Sequence, residues 1–317
     1  PEDDPLCEPH VRKLPVDLPP CYDGAAGRDP VVYVLAGFAS WGARQLHREA
    51  FGEALDQRLD RLIAQGRIQP LIAALPDGFT RYGGSQYVDS SATGPYERHL
   101  VEEVVAHVDG AFRTIPEATG RAVLGKSSGG CGALTLGMRH PEVFGVVASH
   151  SGDLGFEHVF PPEFPPAMVA LERRGGVAGF LEDFFGKPKR SGAEFATLLV
   201  LAMAACYSPN PENPHGFDLP FDPATGALVP EVWARWLAWD PLQMADAHAD
   251  ALRTLKVYLD CGRFDEHRLY AGARQLAAKL TALGVDHAYE EFDDGHRGTD
   301  YRLDVSLPWV SRRLPRQ

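Results

Sequence analysis

Arg121-Ala-Val-Leu-Gly-Lys-Ser-Ser-Gly-Gly-Cys-Gly-Ala133 opens as an apolar run and stops in a glycine- and serine-rich turn. Two catalytic patterns overlap on it. Gly125-Lys-Ser127-Ser-Gly129 is G-x-S-x-G, the strand–turn–helix elbow that lifts a nucleophilic serine out of a sheet. Gly120 to Ser127 is also a complete G-x-x-x-x-G-K-S phosphate-binding loop. A P-loop needs the residues between its glycines as an open loop with amides turned inward. Here they read Arg121-Ala-Val-Leu124, which has the character of a short buried strand. Gly120 closes the preceding turn, so the loop a nucleotide requires is missing. The elbow asks for the opposite: a strand ending at the first glycine and a helix starting at once. Side chains two before and two after the serine would collide, and Gly125 and Gly129 meet that demand for Ser127. For Ser128 the preceding partner would be Lys126, so Ser127 is the candidate nucleophile. Val257-Tyr-Leu-Asp260 has the form of a Walker-B strand and gives nucleotide binding a second leg, although apolar strands ending in Asp are common.

Outward from the elbow, buried strands alternate with amphipathic helices. Strands are expected at Val31–Ala36, Pro70–Leu75, Val143–Ser149, Leu255–Asp260 and Asp286–Phe292. Helices are expected at about Arg44–Gln65, Tyr96–Phe112, from the elbow to about Arg139, at His267–Leu283 and at about Asp300–Arg313. The Arg44–Gln65 pattern carries apolar residues at Phe51, Leu55, Leu59, Leu62 and Ile63. This alternation predicts an α/β fold: a mostly parallel central sheet with helices on both faces and catalytic groups on loops at the carboxyl ends of the strands.

Residues 155–250 interrupt the alternation. They open with Phe160-Pro-Pro-Glu-Phe-Pro-Pro166, continue with helical apolar stretches and end near Val232-Trp-Ala-Arg-Trp-Leu-Ala-Trp239. The expected organisation is therefore a core of residues 1–154 and 251–317 with an inserted, mainly helical cap at 155–250. The insert reads equally well as a lid supplying an apolar acyl or aryl pocket and as a second packing layer or dimer surface.

The chain has 317 residues, ordinary for one α/β sheet with an insertion. Its net charge of −12 argues against nucleic acid and anionic membrane surfaces as partners, because both would repel it. The five cysteines (7, 21, 131, 206, 261) are scattered and make no metal-binding or disulfide pattern. They read as reduced, mostly buried thiols of a cytoplasmic protein, and no signal peptide or membrane-length apolar run is visible.

A serine hydroxyl needs a base, and the base needs an acid to orient it. With this elbow the chain order is Ser, then Asp or Glu, then His. The turn Leu259-Asp-Cys-Gly-Arg-Phe-Asp265-Glu-His267 holds two candidate acids. Asp260 stays at the strand end, whereas Asp265 sits at the loop tip and can reach across to a histidine; Asp265 also reads as a helix cap. After the last strand, Gly295 and Gly298 flank His296, the favoured base. His150, His158, His248, His267 and His287 also follow Ser127, but each has a plainer reading, His150 as a lining residue of the pocket. The oxyanion hole needs two backbone N–H donors. Ser128 would give one, and Phe38 or Ala39, in the turn after Val31–Ala36, the other. Trp41 beside them is a candidate substrate-binding wall.

Together these residues resemble the putative-esterase branch of the α/β-hydrolases, which includes esterase D (S-formylglutathione hydrolase), enterochelin-esterase-like and feruloyl-esterase-like enzymes and mycolyltransferases. The resemblance rests on Val16-Asp-Leu-Pro-Pro-Cys-Tyr-Asp23, Leu75-Pro-Asp-Gly78, Gly94-Pro-Tyr-Glu97, Val101-Glu-Glu103, the elbow, Gly262-Arg-Phe-Asp265 and Gly295-His296, in the right order. It implies an α/β-hydrolase fold with Ser127 as nucleophile, Asp265 as acid and His296 as base. The family often has Met where this chain has Ser128, and Trp soon after the base where this chain has Arg297-Gly-Thr.

The expected function is a serine esterase working through an acyl-enzyme, without metal or organic cofactor. Its partner is a small-molecule ester, with a homodimer left open. An acyltransferase or a non-catalytic ligand-binding relative, and then a P-loop nucleotide binder, are the alternatives.

Overall fold

The computed structural model describes residues 6, 9, 11–24 and 26–316; Cys7 lies outside them. Seven strands make the central sheet: β1 (Val16–Asp17), β2 (Val31–Leu35), β3 (Ile72–Ala74), β4 (Arg121–Lys126), β5 (Val146–His150), β6 (Lys256–Gly262) and β7 (Asp286–Phe292). Their spatial order is β1-β3-β2-β4-β5-β6-β7, and every pairing is parallel except that of the edge strand β1 with β3. The expected mostly parallel sheet is therefore present, with β1 as an additional antiparallel edge. Chain direction across the sheet reverses at β2, which has β3 on one side and β4 on the other. Loops leaving β2 and β4 part there and open a crevice at the carboxyl ends of the strands, where ligands of open α/β sheets bind.

Side chains alternate between the two faces along each strand. Val32, Val34, Leu124, Ala148 and Tyr258 face α1 (Leu55–Ala64) and a carboxyl-terminal helix, Leu303–Ser311. Val31, Tyr33, Leu35, Val123, Val147 and Val257 face the opposite way, against the elbow helix α2 (Ser128–Arg139) and α3 (Leu269–Ala282). The helix through Tyr96–Arg98 and Val105–Ala111 passes through a π-helical stretch at His99–Val104.

The stretch at Arg44 does not begin a long helix. A short 3-10 helix spans Gly42–Leu46, irregular chain follows, and α1 starts only at Leu55. Phe51, expected on the apolar face of that helix, is fully exposed. The true apolar face begins with Leu55, Leu59 and Leu62, four and three residues apart.

Residues 155–250 are mainly helical, with the longest helices at Phe164–Glu172, Val177–Gly186 and Gly192–Tyr207. Their buried aromatics, Phe156, Phe160, Phe164, Phe180 and Trp236, belong to the same continuous apolar cluster as the α2 and α3 face of the sheet. Trp233 and Trp236 are buried in that cluster, Trp236 with its indole N–H donating to Ser208 Oγ at 2.8 Å. No helix among the described residues is long and apolar enough to cross a membrane. Cys131, Cys206 and Cys261 are buried free thiols and Cys21 is exposed; burial pushes the Cys206 and Cys261 thiols up to about 12.

Candidate active site

Arg121–Lys126 forms parallel ladders with both β2 and β5, so the four residues that a P-loop would need open are β-strand. That removes the nucleotide-binding alternative. Asp260, the Walker-B candidate, is buried against His150, Arg302 and the Tyr258 hydroxyl.

The strand ends in a sharp turn with Ser127 at φ +56° and ψ −124°, a conformation that L-residues rarely adopt, and α2 begins at the next residue. Both flanking glycines are sterically forced. A β-carbon on Gly125 would lie 2.4 Å from the Gly129 carbonyl, and one on Gly129 would lie 2.3 Å from the Leu35 oxygen. The Ser127 amide donates to the His150 carbonyl at 2.9 Å, and its carbonyl accepts from the Cys131 amide as the first bond of the helix.

The two acids of the 259–267 turn separate cleanly. Asp265 is buried and its Oδ2 lies 2.8 Å from His296 Nδ1, while its Oδ1 accepts from the His267 amide at 2.9 Å. Asp265 does not cap the following helix, which starts at Leu269 with Arg268 as its N-cap and no side-chain cap; the oxygen that does not face the histidine closes the turn instead. The two loops meet because residue 262 is glycine: a β-carbon there would sit 2.3 Å from the Asp294 carbonyl oxygen. Glu266 holds the histidine loop from below, accepting the His296 amide at 2.8 Å, and backbone N–H groups, its own first, keep its carboxyl below the usual range. The His267 ring stands edge-on to His296 at 4.9 Å.

Ser127 and His296 line one open cavity of about 1020 Å³ at the crevice between β2 and β4. Its walls are residues 34–40, the 44–58 segment, 124–127, His150 and 296–303. Lys126 and Asp300 form a 3.6 Å ion pair at its edge. None of residues 155–250 contributes to this lining.

Of the expected oxyanion donors, Ala39 is already engaged: its amide donates to the Gly83 carbonyl at 2.7 Å. The Phe38 amide has no backbone acceptor among the described residues. The Ser128 amide, at the first position of α2, lacks an intrahelical partner by construction. Trp41 does not line the cavity, because its ring packs edge-on to Phe79 at 6.0 Å with the Arg44 guanidinium over it at 5.8 Å. His150 does line it, but its ring nitrogens are taken, Nδ1 by Asp260 Oδ1 at 2.9 Å and Nε2 by Ser306 Oγ at 2.9 Å.

One buried acid beside the elbow is absent from the sequence reading. Asp153 lies in the turn after β5, and its Oδ2 accepts from Ser128 Oγ at 3.0 Å. Burial pushes its carboxyl above the usual range, against the pull of His296 and the Ser128 hydroxyl. Its signal was Ser149-His-Ser-Gly-Asp153, an acid just past the end of the strand neighbouring the elbow. No group of three or more His, Cys, Asp or Glu side chains that could hold a metal occurs among the described residues.

Known proteins match this chain at the level of family and of fold. Residues 9–307 match the family described as putative esterase. An esterase of Mycobacterium tuberculosis is 35% identical over 253 residues, covering 75% of this chain and 44% of that protein. An endo-1,4-beta-xylanase/feruloyl esterase of Xylanibacter ruminicola is 30% identical over 139 residues, 44% of this chain and 19% of its own length. The chain thus spans less than half the length of these two relatives. Among solved structures, a ferulic acid esterase superposes with a TM-score of 0.60 at 20% identity, covering 96% of this chain and 98% of that one. An S-formylglutathione hydrolase from Agrobacterium tumefaciens gives 0.57 at 17% identity, covering 95% and 90%. These superpositions identify the fold as that of the α/β-hydrolases.

Proposed function

The chain belongs to the putative-esterase family, and from that premise we propose that it hydrolyses a carboxylic ester of a small molecule with Ser127, His296 and Asp265. The observation that carries the reading is the strained Ser127 turn sharing a cavity with a histidine whose far nitrogen is held 2.8 Å from a buried carboxylate.

In the acylation step the Ser127 Oγ–carbon bond forms as the carbonyl π pair moves onto oxygen, and the Oγ proton passes to His296 Nε2. Asp265, facing Nδ1, keeps that nitrogen protonated so that Nε2 is free to accept, and it stabilises the imidazolium that results. The Phe38 and Ser128 amides are the donors for the new oxyanion. Collapse of the intermediate expels the alcohol, which takes its proton from Nε2, and water repeats the sequence to release the acid. Both donors are backbone groups fixed by the ends of β2 and β4, so they need no reorganisation as charge develops.

Incubation with a fluorophosphonate, intact mass and peptide mapping test the reading. A single adduct on Ser127 that is lost in His296→Ala supports it. Absence of any adduct on folded protein would sink it.

A further inference from the structure

The loop from Gly78 to Tyr87 packs against the turn that carries Phe38, and it contains an arrangement that folding alone does not require. Gln86 and Tyr87 are consecutive non-glycine residues at positive φ, +53° and +58°. Two such residues in a row cost free energy and persist where the surroundings over-determine them. Tyr87 explains its own half: its hydroxyl donates to the Ala36 carbonyl at 2.8 Å and its ring packs where a β-carbon on Gly132 would otherwise go. Gln86 has no such explanation.

The Gln86 side chain is buried, at 3% exposure, yet its Nε2 has no hydrogen-bond partner among the described residues. Its other end is fixed, since Oε1 accepts from the Tyr207 hydroxyl at 3.3 Å. Tyr207 closes the helix Gly192–Tyr207 and is itself packed against Phe156 at 5.3 Å and Trp236 at 5.8 Å. Nε2, on the other arm of the same carboxamide, lies beside Gly84 on the side of Phe38: a β-carbon on Gly84 would be 3.7 Å from both Nε2 and the Phe38 ring. Leaving a buried amide donor unmet is destabilising, so an orphan of this kind calls for a partner that arrives.

Gln86 lines a small cleft together with Ala36, Gly37, Phe38 and Ser128, of about 10 Å³. That is room for roughly one water-sized body. It is too small for an acyl chain and the right size for a single oxygen atom, and its walls include both residues whose amides are unspent. We propose that Gln86 is a third donor of the oxyanion hole, its Nε2 completing the set begun by the Phe38 and Ser128 amides. The inference rests on the esterase reading above. It adds that residues 155–250, which stay clear of the large cavity, act on the chemistry through Tyr207.

A donor to the developing oxyanion strengthens in the transition state and contributes little to ground-state binding. The test therefore uses Gln86→Leu and Gln86→Met, both close to Gln in volume, with steady-state kinetics on p-nitrophenyl acetate. It adds inhibition by a trifluoromethyl ketone, which forms a tetrahedral adduct with an activated serine. In folded variants kcat should fall about 100-fold with KM within about two-fold, and the ketone should lose affinity by a similar factor. A structural role would lower melting temperature without moving ketone affinity. Retained kcat in either folded variant overturns the proposal, as does a loss of kcat without loss of ketone affinity. If Gln86→Leu fails to fold, Gln86→Met carries the same readouts, and Tyr207→Phe, which frees Oε1, should lower kcat several-fold. Fluorophosphonate labelling of the unaltered protein separates the two readings: an unlabelled Ser127 defeats both, whereas labelled Ser127 with an inert Gln86 defeats only this one.

Discussion

Ser127 and His150 are joined through the backbone, the serine amide donating to the histidine carbonyl at 2.9 Å, while the His150 ring points away into its own bonded set. That set repeats the composition of the trio proposed for catalysis, Ser127, His296 and Asp265. Asp260 faces Nδ1, Ser306 faces Nε2, and Arg302 closes the far side of Asp260 at 3.0 Å. It is buried, so it braces the elbow and the 299–306 segment that follows the base loop.

Asp260→Ala should therefore act on stability. It leaves the buried His150 without its carboxylate and Arg302 with only the surface carboxylate of Glu290, 2.6 Å away, which costs about 3 kcal/mol, the low end for a broken buried pair. Chemical denaturation should show that loss, and surviving folded protein should still be labelled at Ser127. Burial raises the Asp260 carboxyl, but His150 and Arg302 outweigh it and hold it below the usual range. Its contribution is thus present above the unfolded carboxylate range and is lost as pH falls through the depressed folded value.

Asp265→Asn should do the reverse. The amide can donate to Nδ1 and leave His296 in the wrong tautomer, so kcat should fall roughly 10,000-fold with little change in melting temperature. A drop of less than about ten-fold in ester turnover would remove Asp265 from the mechanism.

Ser127→Ala should abolish turnover and keep the fold. Ser127→Gly should abolish it and also stabilise the protein, by about 1 kcal/mol, because glycine accepts φ +56° without the penalty that the serine bears. Equal melting temperatures for the serine, alanine and glycine proteins would show that the turn stores no strain.

Asp17, on the edge strand β1, is pushed up to about 6, by burial first and then by Asp60 and Asp56. A raised carboxyl favours the fold below its unfolded value near 3.8, and that advantage is lost as pH climbs through about 6. Asp17→Asn should accordingly raise the melting temperature at pH 7 to 8 and leave it unchanged below about pH 4. A gain of the same size at both ends would assign the effect to something other than the charge.

The elbow and the order of strands were legible because each is written locally. A run of buried residues ending in Gly125 and resuming with Gly129 asks for a strand, a turn and a helix, and unbroken burial along the chain marks β2, β4 and β6 alike. The Asp265–His296 encounter was legible through chain order, two short turns at the ends of adjacent strands. The segment from Arg44 was misread because Phe51 fits a helical spacing while its exposure depends on what the loop faces. Trp41 was misplaced for a related reason, since sequence gives no sign that Phe79 and Arg44 claim its ring. Ala39 likewise loses its amide to Gly83, forty-four residues on. Asp153 and Gln86 owe their meaning to partners on other elements, Ser128 in one case and Tyr207 in the other.

The merging of residues 155–250 with the core of the sheet divides the molecule by its tolerance for change. A layer whose aromatics share one cluster with α2 and α3 cannot be trimmed or swapped without opening that core, so it offers little room for new specificities. One wall of the cavity is built from residues of the 44–54 segment, mostly irregular chain with Phe51 standing fully in solvent. Substitutions at its exposed positions, Phe51 above all, disturb no packed layer. Variation in which ester is accepted, in nature or by design, is cheapest along that stretch.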